Sequence, residues 1–484
     1  MKATTPFLPH LAGCCLFGRA PVSARVQLEA QVERIREASL GKLTGLFGKY
    51  IGERRLNPAD SGAGSRERLF SVRTTFWTFL AQILTPGGSC REALRKLQAW
   101  QAAQGGHLAD SSTSAYCQAR ARLDASALRD IHHDVVEQVT RGNVATHTDF
   151  DRPIKVVDGT CVSMPDTAAN QKIWPQSKEQ KPGCGFPFAK LVGLFNLADG
   201  VLIDWVEGSK HDHESKLFRQ LWDQIDAGDI VLGDRAYGTF VSIAGLLEQG
   251  VDSVMRVHQR RTINFRKGKR LGTRDRLIQW SKPLECAPGW TATQWQALPE
   301  SLTIRIVEIR VQHPGFRVQS YVLVTTLSDP KQWSVEELGQ LYFRRWSVEL
   351  FFRDIKITMG MDILRCKTPS MVRKEIIMHA IVYNCIRGLI QHAAIQYDVP
   401  IARISFKGTT DTLRQWADAF HIHAGKPRKQ SEMLSALLRV ITQDPVPFRP
   451  QRSEPRVKKR RANGYQLMTK PRSEMVVSLS RKTK

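Results

Sequence analysis

Ile154-Lys155-Val156-Val157-Asp158-Gly159 and Ile230-Val231-Leu232-Gly233-Asp234 are short apolar runs that each reach an aspartate. Runs of this length, rich in Val and Ile and bounded by glycine, read as strands buried on both faces. Between them lie two more apolar runs, residues 191–197 and 201–206, joined by Ala198-Asp199-Gly200, a hairpin signal. Residues 214–225 then place Leu217, Leu221 and Ile225 at helical spacing. After the second aspartate come a helix over residues 240–249 and a strand over 253–257. The order is strand, hairpin, helix, strand, helix, strand.

That order is the layout of an RNase-H-like fold, a mixed α/β sheet with helices on its faces. In such a sheet the first and fourth strands are neighbours, so carboxylates on them lie side by side. Asp158 and Asp234 fall on those two strands. Outward from this core, residues 1–150 read as a helical N-terminal domain. Helices are expected over 24–40, 76–84 and 90–104, and Ser111-Ser112-Thr113-Ser114 opens another that carries Ala119, Arg120, Arg122 and Leu123. Arginines on one side suit DNA binding, and a helical packing or dimerisation unit is the alternative. Residues 258–330 read as a β-rich insertion domain that starts with Arg260, Arg261, Arg266, Lys267, Lys269 and Arg270. The catalytic core would then be 151–257 and 331–400, with helices over 335–356 and 371–397. Residues 401–484 form a basic C-terminal region that includes Lys458-Lys459-Arg460-Arg461 and carries about half of the excess positive charge.

The chain has 484 residues, 42% hydrophobic and 24% charged, with a formal net charge of +25. Length and composition suit a globular protein of several domains. The charge favours a polyanionic partner, because each neutralised phosphate releases counterions. No apolar run approaches the roughly 20 residues of a membrane span, and no secretion signal is read at the N-terminus. Nine scattered cysteines contain no Cys-x-x-Cys pair and read as reduced, structural thiols of a cytoplasmic protein. No phosphate loop for ATP is present.

The richest constellation follows the insertion: Tyr342, Arg345, Glu349 and Lys356. On one continuous α-helix, offsets of three, four and seven put all four side chains on a single stripe. An ordinary surface helix also shows cation–anion pairs at such offsets, so spacing alone leaves both readings open. The pattern Tyr342-x2-Arg345-x3-Glu349-x6-Lys356 resembles the Tyr-Arg-Glu-Lys signature of the DDE transposases of bacterial insertion-sequence family four. Val157-Asp158-Gly159-Thr160 and Gly233-Asp234-Arg235-Ala236-Tyr237-Gly238 resemble that family's two aspartate segments, and the likeness runs over roughly residues 70–475.

The resemblance implies a transposase that cleaves transposon ends and joins them to target DNA. Asp158, Asp234 and Glu349 would be the catalytic carboxylates and would hold two Mg²⁺, or Mn²⁺ in their place, with Asp158 shared between the ions. Carboxylate oxygens suit such hard cations, and a pair of them about 4 Å apart can serve attacking and leaving oxygens together. Arg345, Lys356 and Tyr342 would contact DNA phosphates. Tyr321 stands where some family members stack a flipped base, and a tyrosine packed into the strand is the other reading. Partners would be double-stranded DNA, both terminal inverted repeats and target, with a dimer in the active complex at the bacterial nucleoid.

His211-Asp212-His213-Glu214 looks like a metal cluster but precedes a helix, where acidic residues are favoured in any case. Trp280, Trp290 and Trp295 are read as a β-domain core, and Trp346 as pointing off the stripe into the core. An RNase-H-like nuclease without strand transfer and a domesticated DNA-binding protein are the rival functions.

Overall fold

The computed structural model describes residues 46–56, 70–103, 108–141, 152–258, 261–311, 319–422, 426–446 and 468–475. The helix expected over 24–40, Arg260 and the Lys458–Arg461 run lie outside the described residues.

Nine strands form one sheet: β1 (Ile154–Ser163), β2 (Phe188–Asn196), β3 (Leu202–Gly208), β4 (Ile230–Gly233), β5 (Asp252–Arg256), β6 (Lys269–Gly272), β7 (Asp275–Ser281), β8 (Ser301–Val311) and β9 (Gln319–Thr325). Their order across the sheet is β3-β2-β1-β4-β5-β9-β8-β7-β6. The first five make the expected RNase-H-like unit. β1, β2 and β3 are an antiparallel meander, and β1, β4 and β5 run parallel. The hairpin turn closes at Gly200, whose φ of 73° lies in the left-handed region that glycine enters without steric cost.

Adjacent residues of the central strands serve opposite faces. Val156 and Leu232 belong to one buried cluster, Val157 and Val231 to another. This two-sided burial is why β1 and β4 read as unbroken apolar runs rather than alternating ones. One face is covered by the helical N-terminal segments and by α9 (Pro369–Tyr397). The other is covered by α5 (Glu214–Arg219) and α6 (Phe240–Glu248). The helix expected over 214–225 stops at Arg219, and a 3₁₀ turn at Trp222–Gln224 completes the connection.

The segment read as an insertion does not stand apart. Its last strand, β9, pairs antiparallel with β5, matching Val254 to Thr325 and Met255 to Val324. An uncovered β5 would present a row of unpaired backbone groups, and β9 to β6 satisfy it by continuing the same sheet. Trp280 is buried in that continuation, as expected of a core residue, while Trp290 and Trp295 are half-buried against it.

In the N-terminal part, α1 (Val72–Leu84), α2 (Cys90–Ala103), α3 (Ser114–Arg122) and α4 (Ala125–Arg141) pack against α9 and its surroundings. Arg120 is not on an open basic face. It is buried over the Phe79 ring at 3.9 Å and reaches Cys90 Sγ at 2.9 Å and Cys366 Sγ at 3.2 Å. α9 holds the edge of the sheet through Asn384. Its amide accepts from Leu202 N–H and donates to Leu202 C=O, both at 2.9 Å, standing in for a missing strand partner. Beyond α9, α10 (Phe406–Ile422) and α11 (Pro427–Thr442) occupy much of the basic C-terminal region. No helix among the described residues is long and apolar enough to cross a membrane.

Candidate active site

β1 and β4 pair in parallel from Ile154 opposite Ile230 to Val156 opposite Leu232. Continued by two residues, that register sets Asp158 abreast of Asp234. β4 ends at Gly233 while β1 runs on to Ser163, so on that side β1 has no strand partner between Val156 and Ser163, where a parallel bridge to Ile363 closes the gap. The two aspartates rim the notch this leaves. Asp158 accepts from Gly159 N–H at 2.8 Å, and Asp234 from Ala236 N–H at 2.7 Å, so each carboxylate is oriented by its own turn. Burial pushes the Asp158 carboxyl up to about 6, with the Asp234 and Glu214 charges adding to it, against the pull of Gly159 N–H and Arg345.

The third acid arrives on the segment after β9. A capping box between Ser334 and Glu337 starts α7 (Val335–Arg344). The helix expected to run unbroken to residue 356 is interrupted. Arg345 and Trp346 donate to Tyr342 and Phe343 in i→i−3 turns of 3.0 and 3.2 Å before α8 (Ser347–Arg353) begins. A π-helical turn over Asp354–Thr358 follows, with Met359 N–H bonded to Asp354 C=O at 3.0 Å. The tight turn advances the rotation of the chain, about 120° per residue instead of 100°, and the wide turn retards it. Both cations consequently still reach one face of β1. Arg345 Nη1 lies 3.4 Å from Asp158 Oδ2, and Lys356 Nζ donates to Thr160 Oγ1 at 3.0 Å. Residues 158 and 160 share that face because strand side chains alternate. Arg345 Nη2 also stands 3.8 Å from Glu349 Oε1, so one guanidinium links the first and third acids.

Tyr342 and Tyr321 each lie against an arginine. Tyr342 is buried, and its hydroxyl is held above its ordinary range by burial while Arg345 and Arg256 pull it back. Tyr321 is half-buried beneath Arg256, 4.7 Å from its ring, and meets the Phe343 ring edge-on at 5.8 Å. Trp346 corrects the sequence reading. It is 41% exposed beside the Arg345 guanidinium, because the added rotation of the i→i−3 turn carries it out of the core.

The sequence reading also missed Glu214. Of the His211–Glu214 run, His211 and His213 are exposed, and Asp212 closes a local turn by accepting from Ser209 N–H and Oγ at 2.9 Å. Glu214, first residue of α5, instead lies over Gly159. A Cβ at position 159 would sit 2.9 Å from its Cδ.

Asp158, Asp234 and Glu349 offer only oxygen donors, a set that fits Mg²⁺ or Mn²⁺ and not a soft metal. Asp158 and Glu349 flank Arg345, and Asp234 stands on the next strand end, rather than all three packing together. The trio of possible ligand atoms found within 4.8 Å of one another among the described residues is His132, His133 and Asp204. There Asp204 is already paired with Arg129, which opposes a further cation.

Residues 149–385 match the family profile described as transposase DDE domain. The chain is 27% identical over 287 residues to the transposase InsG for insertion sequence element IS4 of Escherichia coli, a match that covers 57% of this chain and 60% of that protein. It is 25% identical over 263 residues to a probable transposase for insertion sequence element IS5377 of Geobacillus stearothermophilus, covering 53% and 62%. The chain thus spans about three fifths of the length of these curated relatives. A piggyBac transposase in a synaptic complex with hairpin DNA aligns with a TM-score of 0.41 at 9% identity, over 84% of this chain and 85% of that one. Residues 149–385, which hold Asp158, Asp234 and Glu349, thus match a DDE transposase domain, and the chain is similar to transposases of insertion sequence elements.

Proposed function

We propose that the chain is a DNA transposase that binds transposon ends, cleaves them and joins them to target DNA in cut-and-paste transposition. The observation that carries this reading is the single guanidinium of Arg345 standing between Asp158 and Glu349, with Asp158 abreast of Asp234. Acids that repel one another are held around one point by a cation, as a site built for positive charge requires.

Asp158, Asp234 and Glu349 would hold two Mg²⁺. When bound, such ions supply charge stabilisation to the phosphate and lower the pKa of an attacking oxygen. The chain's own residues do the rest. Arg345 and Lys356 bracket the acids along β1 and present cations to the DNA phosphates on either side of the cut. Tyr342 braces Arg345 from beneath, and Tyr321 lies on the same aromatic stack by way of Phe343. Water is the nucleophile for the first nick and a DNA 3′-hydroxyl for joining, so no covalent protein intermediate is needed.

In this reading the helical N-terminal domain (1–150) and the basic region 401–484 grip the terminal repeats. The RNase-H-like core (151–257 and 331–400) cuts, and the β-rich segment 258–330 steadies the end being processed. Joining two ends calls for a dimer on DNA, and the bacterial nucleoid is where it would act.

The test is incubation of the purified chain with Mg²⁺ and DNA carrying the ends that flank its reading frame, resolved on a denaturing gel. Nicked and joined products are expected, and Asp158→Asn should abolish both while leaving DNA binding intact. Nicks without joined products would identify a nuclease. A normally active Asp158→Asn protein would refute the assignment of β1.

A further inference from the structure

We propose that Glu214 is a fourth carboxylate of the cation site, set in place by the hydroxyl of Tyr237. This rests on the metal-dependent reading above and adds residues to it.

Three observations place Glu214 there. Its carboxylate packs against the α-carbon of Gly159, the residue after Asp158. A Cβ at that position would lie 2.9 Å from Cδ and 3.0 and 3.2 Å from the two oxygens. No side chain larger than hydrogen fits at 159 unless Glu214 moves away. Second, Tyr237 is fully buried and its hydroxyl has no partner in hydrogen-bond geometry. Glu214, Asp158 and Asp234 all act on that hydroxyl, and Glu214 is the acceptor within its reach. A buried donor left without a well-formed bond is costly, and here it faces a group of carboxylate acceptors. Third, the nearest cation to Glu214 is Lys190, whose Nζ stands 3.7 Å away and is already bonded to Asp212 C=O at 2.9 Å. The pair is too long for a hydrogen bond, so Lys190 does not account for where Glu214 sits.

Side chains at 158 and 159 leave opposite faces of β1, so Glu214 approaches from the face opposite Arg345. The notch beside β1 brings the two faces together. β4 has ended at Gly233, so no strand pairs with residues 158–160 on that side to separate the two faces. Asp158 and Asp234 rim that space, and Glu214 closes it from the α5 side while Glu349 closes it from α8. A site entered from two faces also explains why the acids stand apart around one opening.

The experiment is Mn²⁺ binding to the full-length chain without DNA, measured by electron paramagnetic resonance and calorimetry. Asp158→Asn serves as reference and a thermal melt as fold control. Glu214→Gln should weaken Mn²⁺ binding roughly tenfold or more, and Tyr237→Phe by a smaller factor, in line with residues that hold or orient a metal. Gly159→Ala keeps every carboxylate but displaces Glu214, and should match Glu214→Gln. It carries the test if Glu214→Gln fails to fold. Wild-type Mn²⁺ affinity in Glu214→Gln and Gly159→Ala, with binding lost in Asp158→Asn, would overturn the proposal and leave the transposase reading intact. Unchanged affinity in all three would overturn both.

Discussion

Arg305 and Arg345 are both buried and both face carboxylates, yet their surroundings differ in kind. Arg305, on β8, makes a two-pronged pair with Asp275, Nε at 2.9 Å and Nη2 at 2.7 Å, and its Nη1 donates to Trp333 C=O at 2.7 Å. The guanidinium is bonded on every side, and neither partner meets solvent. Arg345 reaches its two acids only at 3.4 and 3.8 Å, and its buried Nε has no partner. One arginine completes a structure, and the other is held short of completing one. Loose, under-satisfied polar groups cost stability, and a fold keeps them where a substrate or cofactor will supply the missing contacts.

The same substitution at both positions separates the two cases. Arg305→Met removes one half of a buried pair and leaves Asp275 charged without water or a cation. A loss of about 3–5 kcal/mol is expected, read from urea unfolding followed by tryptophan fluorescence. A loss below about 1 kcal/mol would mean that water reaches Asp275 and that the contrast is overdrawn. Arg345→Met should do the reverse. Its weak contacts predict a stability change within about 1 kcal/mol. DNA end cleavage should fall about 10²–10³-fold, the cost of removing one preorganised charge from a reaction centre. An Arg345→Met protein that melts early and cuts at the normal rate would erase the distinction.

What could be read from the sequence follows the range of the interactions involved. Asp158 and Asp234 were legible because each closes a run of β-branched residues, and parallel pairing of two such strands sets their ends together. Glu349 was singled out by the likeness of its spacing from Tyr342, Arg345 and Lys356 to the Tyr-Arg-Glu-Lys signature, since spacing alone left a surface helix equally open. The break at Arg345–Trp346 was not, because periodicity assumes a constant rotation per residue and carries no mark of one tight turn offset by one wide turn. That assumption also sent Trp346 inward. Glu214 was hidden by its neighbours, since His211, Asp212 and His213 offered a local explanation. The contact that matters, with Gly159, depends on the β2–β3 hairpin bringing α5 back over β1. The continuation of the sheet through β9 was equally non-local, because nothing in residues 319–325 announces β5 as their partner.

Another paired carboxylate, Asp204 on β3, stands between the two extremes and permits a finer test. Arg129 of α4 pairs with it while stacking 4.1 Å over the Trp205 ring, and His133 Nε2 lies 3.6 Å from its other oxygen. The bond to Asp204 raises the His133 pKa above its ordinary 6.5 against partial burial and the Arg129 charge, with Asp130 adding slightly. His132, fully buried beside them, is pushed down to about 3 by burial and stays neutral through the physiological range. A raised histidine pKa means that the folded state binds the proton more tightly than the unfolded chain. Its contribution is therefore complete below pH 6.5 and disappears as pH rises through the folded value. The pair joins α4 to the sheet edge, so this docking should be firmer at pH 6 than at pH 9. Because His133 is about half exposed, screening keeps the effect small, a shift in melting temperature of about 1 °C or less. Melting wild type and His133→Gln side by side at the two pH values should show a gap at pH 6 that closes at pH 9. An equal gap at both would mean that His133 contributes through packing, and that Arg129 alone supplies the charge that pairs with Asp204.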